Sequence, residues 1–196
     1  MSSKKQPTPI EKRRSPVSRE VGRERLAHAA AQLLQERPFS SISVRDVAEL
    51  ADVNQRYIHT WFGSQHLLYL HVVESLFQDL YAPISDRAQG EIVVNPFDPN
   101  VRFATRLLIW LDLEGVDITP IITVVRGLMN AFSARLCEKA GLNEQLSAGV
   151  TLQSSAIGLG TAAFAEIIGA DDPLVFMNAF NVWQHQIELL AKYPLS

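Results

Sequence analysis

The sequence predicts an all-α protein: an N-terminal three-helix domain with a helix-turn-helix, then a larger helical domain. Three observations carry this expectation. Apolar residues recur at spacings of three to five from residue 18 almost to the C-terminus, the period of helices with one buried face. No apolar–polar alternation lasts long enough for a sheet, residues 91–94 being too short a run. Two short helical stretches, 43–51 and 55–61, flank a tight turn.

The elements follow in order. Residues 1–17 mix Lys, Arg and Ser with Pro7, Pro9 and Pro16, bury too little apolar surface to fold, and are expected to form a disordered basic tail. The first helix starts near Ser18, has Val21, Leu26, Ala29, Ala30, Leu33 and Leu34 on one face, and ends at Pro38. Ser43 caps the second helix, and Asp46, three residues on, completes a capping box. Val44, Val47, Ala48 and Ala51 are its core positions. Asp52, Val53 and Asn54 form the turn, with Asn54 as N-cap of the third helix, 55–61.

Gly63 breaks the chain and Ser64 caps a fourth helix, whose stripe of Leu67, Leu70, Val73, Phe77, Leu80 and Tyr81 ends at Pro83. Residues 84–99 read as a loop. The fifth helix, 100–112, turns Phe103, Leu107 and Trp110 or Leu111 inward. Thr119 and Pro120 open the sixth, and Gly141 stops it. Asn143 caps a long helix ending near Gly169, and Asp172 and Pro173 open the last, which runs to about Tyr193. The expected domains are the tail 1–17, a helix-turn-helix domain 18–64 and a helical domain 65–196.

Composition excludes several classes. Apolar residues make up 47% and charged residues 20%, ordinary for a globular protein. No apolar run approaches the ~20 residues that span a bilayer, so no membrane partner is expected. The N-terminus lacks the apolar stretch of a secretory signal, and the single Cys137 cannot pair within the chain. A cytoplasmic protein is expected. Phosphate-binding glycine loops, HExxH and Cys/His clusters are lacking, so neither enzyme, catalytic residue, metal nor cofactor is expected. His66 and His71 are five residues apart and point to different faces of one helix. Charge is uneven: residues 1–66 hold 11 Lys/Arg against 7 Asp/Glu, and residues 67–196 hold 7 against 14. A basic third on an acidic body suggests that one end meets a polyanion.

The third helix has the chemistry for that meeting. A short helix fits the DNA major groove and presents its first turn to base edges. Gln55, Arg56 and Tyr57 occupy that turn; Arg56 suits guanine O6 and N7, and Gln55 suits adenine. Asn54 precedes them, and His59 and Thr60 lie toward the backbone side. Ser43, Val44 and Arg45 open the second helix and offer N–H groups and a cation to phosphate. Lys12, Arg13 and Arg14 precede the domain and suit a neighbouring minor groove.

Ala29 with Ala30, the run Ser43 to Ala48, Val53, and Phe62 with Gly63 and Ser64 sit at matching positions of a known pattern. Through them, residues 23–68 resemble the DNA-binding domain of TetR-family transcriptional regulators. The chain departs from that pattern with Asp52 where the family usually has glycine. His59 stands where it commonly has a phosphate-contacting tyrosine, and Gln65 where it has a lysine. Asp tolerates left-handed backbone, and neutral His and Gln can each donate a hydrogen bond to phosphate.

The resemblance implies a homodimer paired through the last two helices, a palindromic double-stranded DNA operator, repression, and a small-molecule effector. In the long helix, Gly149, Ala156, Gly158, Gly160, Ala162, Ala163 and Ala165 allow close approach, and the last helix adds Phe176, Phe180, Trp183 and Ile187. An effector pocket is expected between the fourth helix and those after it. Phe77, Phe103, Leu107, Trp110, Ile122, Met129 and Phe132 are candidates for its apolar walls. His71, Arg106, Arg126, Asn130 and Gln153 are candidates for its polar contacts, Arg126 standing out in an apolar helix. The competing expectation, raised by His59 and Gln65, is a helical ligand-binding or scaffold protein that has lost specific DNA binding.

Overall fold

The computed structural model describes residues 18–86, 95–170 and 172–193; the basic tail and residues 91–94 lie outside them. Among the described residues eight α-helices follow one another: α1 Arg19–Glu36, α2 Val44–Leu50, α3 Arg56–Phe62, α4 Gln65–Asp86, α5 Pro99–Leu113, α6 Thr119–Ala140, α7 Glu144–Ile168 and α8 Pro173–Lys192. A 3₁₀ turn, Phe39–Ser41, precedes α2, and the described residues contain no strand. The fold is all-α, as the periodicity predicts. The chain divides into two units between Leu68 and Tyr69. Among the described residues, no helix is long and apolar enough to cross a membrane.

Most helix ends follow from local side-chain chemistry. Ser18 Oγ accepts the Val21 N–H at 3.3 Å and starts α1. In the capping box of α2, Ser43 Oγ accepts the Asp46 N–H at 3.2 Å, and Asp46 Oδ2 accepts the Ser43 N–H at 2.9 Å. The end of α2 is a Schellman motif: Val53 N–H donates to Ala48 O (3.0 Å), and Asp52 N–H donates to Glu49 O (3.2 Å). That motif needs a left-handed residue, and Asp52 supplies it with φ 50° in place of glycine. Ser64 Oγ accepts from Leu67 N–H at 3.1 Å at the head of α4. Asp98, Asn143 and Asp172 cap α5, α7 and α8, and Gly141 and Gly169 end α6 and α7 in left-handed backbone.

Three sequence expectations need correction. Pro83 does not stop α4, which continues to Asp86; a proline near a helix end forfeits a single backbone bond, and the chain can turn on past it. The α1 stripe begins at Gly22 rather than Val21, which is 43% exposed. Val21 lies one residue, about 100° of helix rotation, off the face formed by Gly22, Leu26, Ala29 and Leu33. Leu67 is likewise 43% exposed, while Leu68 and Tyr69 are fully buried.

In the first unit, Leu26, Ala30, Leu34, Val47 and Ile58 form a core with almost no exposure. In the second, Val73, Ala104, Leu107, Leu111, Ile121 and Ala162 do the same. There α7 is not straight. Phe164 leaves helical geometry (φ −134°, ψ 23°), and Arg106 Nε donates to Ala163 O beside the break at 3.2 Å. Arg102 and Arg106 both hold the Glu166 carboxylate, Arg106 at 3.1 Å, so α5 braces α7 beyond the kink. The Glu166 carboxyl sits below its ordinary range because its own backbone N–H and then Arg102 favour the charged form.

The capping box links stability to pH. Bonds from the Ser43 N–H and hydroxyl hold the Asp46 carboxyl below its usual range. A depressed carboxyl stabilises the folded state above its unfolded pKa, and that stabilisation disappears as pH falls through its folded pKa. Ser43→Ala is expected to lower stability at pH 7 by about 1 kcal/mol. Asp46→Asn is expected to flatten the fall in stability below about pH 4. Urea titrations followed by circular dichroism from pH 3 to 7 check both; parallel wild-type and Asp46→Asn curves would remove the box from the acid response.

Candidate nucleic-acid interface and cavity

The first unit builds the exposed face of α3 by anchoring the opposite one. Asn54 Oδ1 accepts the Arg56 N–H at 3.0 Å, doing the capping work although the helix is bounded by Gln55 and begins at Arg56. Ile58 is fully buried, and Gly63, at φ 91°, ends the helix. At that end Arg23 of α1 donates to the Trp61 carbonyl oxygen, and its guanidinium lies 4.3 Å from the Phe62 ring centre. A cation on the last carbonyls of a helix satisfies an orphan acceptor and complements the helix dipole.

With those restraints on one side, Asn54, Gln55, Arg56, His59 and Thr60 are exposed together. Tyr57 is half-buried; it stacks on Trp61 at 4.2 Å and receives a hydrogen bond from Arg56 at 3.0 Å. The Arg56 guanidinium lies 4.8 Å from the Tyr57 ring centre, so Tyr57 steers this arginine while packing on the helix. Thr60 Oγ1 donates to Arg56 O at 3.0 Å.

On α2, Ser43 and Arg45 are exposed and Val44 is half-buried. Arg45 pairs with Glu49 at 2.8 Å. Hydrogen bonding to Glu49 raises the Arg45 pKa further, so the cation persists at any physiological pH. Gln65 is half-buried and donates to the Ile42 carbonyl oxygen at 2.7 Å, tying the start of α4 to the segment before α2. That amide therefore has a structural role where the sequence suggested only a phosphate contact.

The second unit contains a half-open cavity of about 720 Å³, within the range of drug-sized ligand sites. Of the sequence candidates, Phe77, Ile122, Arg126, Met129 and Phe132 line it. His71, Phe103, Leu107, Trp110, Asn130 and Gln153 do not. His71 lies 3.7 Å from Glu74, Leu107 is fully buried in the core, and the Trp110 ring is 6.2 Å from Tyr69. Asn130 and Gln153 are exposed, and Phe103 is half-buried.

Helix phase explains the split. The α5 face on the cavity is Val101, Ala104, Thr105 and Leu108, rotated from the face carrying Phe103, Leu107 and Trp110. Phe176, Phe180, Trp183 and Ile187, expected at a subunit interface, line the cavity instead. Arg106 serves the Glu166 brace. Sequence reasoning missed Thr105, Ser154, Ser155 and Gln184, whose only signal is adjacency to apolar positions in phase with the cavity.

Residues 26–72 match the family model for bacterial regulatory proteins of the tetR family, a span that runs from α1 into α4. No curated protein matches the chain.

Arg23→Met keeps the apolar stem and removes both the bond to Trp61 and the charge over Phe62. A hydrogen bond from a charged group contributes about 1.5–3 kcal/mol. Amide exchange across residues 56–62 is therefore expected to speed up about tenfold or more, with residues 119–140 unchanged. Unaltered exchange in 56–62 would show that Arg23 does not brace α3.

Proposed function

We propose that the chain is a tetR-type DNA-binding regulator, a homodimeric repressor of a palindromic operator relieved by a small, largely apolar effector, a reading supported by the match of residues 26–72 to the family model for bacterial regulatory proteins of the tetR family. One observation carries the DNA-contacting part. Gln55, Arg56, His59 and Thr60 are exposed side by side on a helix whose other face is anchored by Ile58 and Arg23. Gln55, Arg56 and Tyr57 read base edges; Ser43, Val44, Arg45, Asn54, His59, Thr60 and Gln65 contact or orient toward phosphate. The domains are a basic tail 1–17, a DNA-binding domain 18–64, and a ligand-binding and dimerisation domain 65–196. Such a regulator works without catalysis, in the cytoplasm where its operator is.

The dimer reading is supported by where apolar surface remains. Leu152 (72% exposed), Ile167 (82%) and Leu174 (72%) lead a set of large apolar side chains left open on α7 and α8. The positions of Gly149 and Gly160 face open space within the subunit. A two-fold axis through these helices covers that surface, and the palindromic operator calls for two copies of α3 about 34 Å apart, one turn of DNA. The effector reading rests on the cavity, to which Phe77 of α4 contributes. Because α4 also begins at Gln65, beside α3 in sequence, it is the element through which occupancy shifts the spacing of the DNA-binding domains.

Fluorescence anisotropy with duplexes selected from random DNA tests the first part. Arg56→Ala is expected to weaken the selected duplex by about 1–3 kcal/mol and relax the preference at one base pair. Equal, salt-labile binding of selected and random duplexes would favour a protein that has lost specific recognition. Light scattering after size exclusion is expected to give the mass of two chains at micromolar concentration, and of one chain for the double variant Ile167→Asp, Leu174→Asp. A wild-type monomer would refute the interface.

A further inference from the structure

We propose that the molecule taken up by the cavity is an amphipathic carboxylic acid, an apolar chain ending in one carboxylate, held by Arg126. This rests on the reading of the cavity as the effector site and adds the chemistry of its occupant.

The polar groups on the wall are few, and their hydrogen-bonding states differ. The hydroxyls of Ser154 and Ser155 donate to Val150 O and Thr151 O, at 2.6 and 2.7 Å, so their own helix satisfies them. Trp183 also lines the cavity, but its Nε1 is sealed from that space. Arg126 lines the cavity, is exposed and so sits at its rim, and makes no ion pair with a described residue. The guanidinium only donates, and its planar fork matches two carboxylate oxygens.

The acidic group on the wall is Glu188, which lies 3.6 Å from His185. A cationic ligand would face Arg126. A doubly charged phosphate would bring a second charge toward Glu188 with one arginine to balance it. A single carboxylate answers the guanidinium, and the remaining wall, from Phe77, Ile122, Met129, Phe132 and Phe180, takes the chain.

Titration calorimetry on the full-length protein with decanoate, 1-decanol and decylamine, each below its micelle concentration, tests this. Decanoate is expected to bind about tenfold or more tighter than the other two, the range of a charge-assisted hydrogen bond. Arg126→Met should remove that preference and leave 1-decanol within about twofold, showing an intact cavity; Arg126→Lys should restore part of it. The proposal is overturned if 1-decanol or decylamine binds as tightly as decanoate, if Arg126→Met weakens all three alike, or if none binds. DNA affinity measured on the same samples separates the two readings. Decanoate that binds without changing DNA affinity defeats the effector role alone, and DNA release by 1-decanol or decylamine without acid preference defeats the carboxylate alone.

Discussion

A seven-residue helix does not hold together in water, because the cost of its first turn outweighs the few bonds that follow. The proposed DNA-facing end of this molecule depends on overcoming that limit without using the face left open. The restraints are therefore concentrated at the ends and on one side of α3. Asn54 fixes the first turn, Ile58 anchors the middle, and Arg23 holds the last carbonyls from a different helix. Side chains on the open face interact chiefly with one another, as Arg56 does with Tyr57 and Tyr57 with Trp61. Such contacts orient groups while leaving their polar edges toward solvent.

The same economy explains what the sequence made readable. Caps depend on chemistry within about four residues, so Ser18, Ser43 with Asp46, Ser64, Asn143 and Asp172 could be located by spacing alone. The turn was readable for the same reason: its Schellman bonds need one left-handed residue, and Asp52 is the residue there that tolerates it. Arg23 was not readable. Its acceptor lies 38 residues away, and along the sequence it is one more arginine in a basic segment. Pro83 misled because a rule about helix interiors was applied within a turn of a helix end.

In the second unit, composition foretold an apolar pocket but not the rotation of each helix about its axis. On α5, Phe103, Leu107 and Trp110 are as regular as Val101, Ala104 and Leu108, and periodicity cannot rank two apolar faces a residue apart. The aromatic stripe of α8 misled in the same way. It faces the cavity, and the less conspicuous Leu174, Val175, Met177 and Val182 are left outside. A helix with apolar residues on more than one face has more than one surface to cover, and the bulkiest side chains need not cover the outermost.

That division gives α7 its unusual composition. The helix lines the cavity with Ser154, Ser155, Ile157 and Gly158 and leaves Leu152, Ile167 and Ile168 outside. Serines and threonines would be costly beside an apolar space, yet Thr151, Ser154 and Ser155 each donate to a carbonyl four residues back. Turned onto their own backbone, these hydroxyls require nothing from an occupant. Beyond them the helix breaks at Phe164, and Arg102 and Arg106 lock the far segment through Glu166, so the wall is held by α5. The hydrogen-bonding demand on the cavity thereby narrows to groups outside α7. Of these, Arg126 can only donate, which makes the polarity of the proposed occupant depend on how α7 satisfies its own hydroxyls.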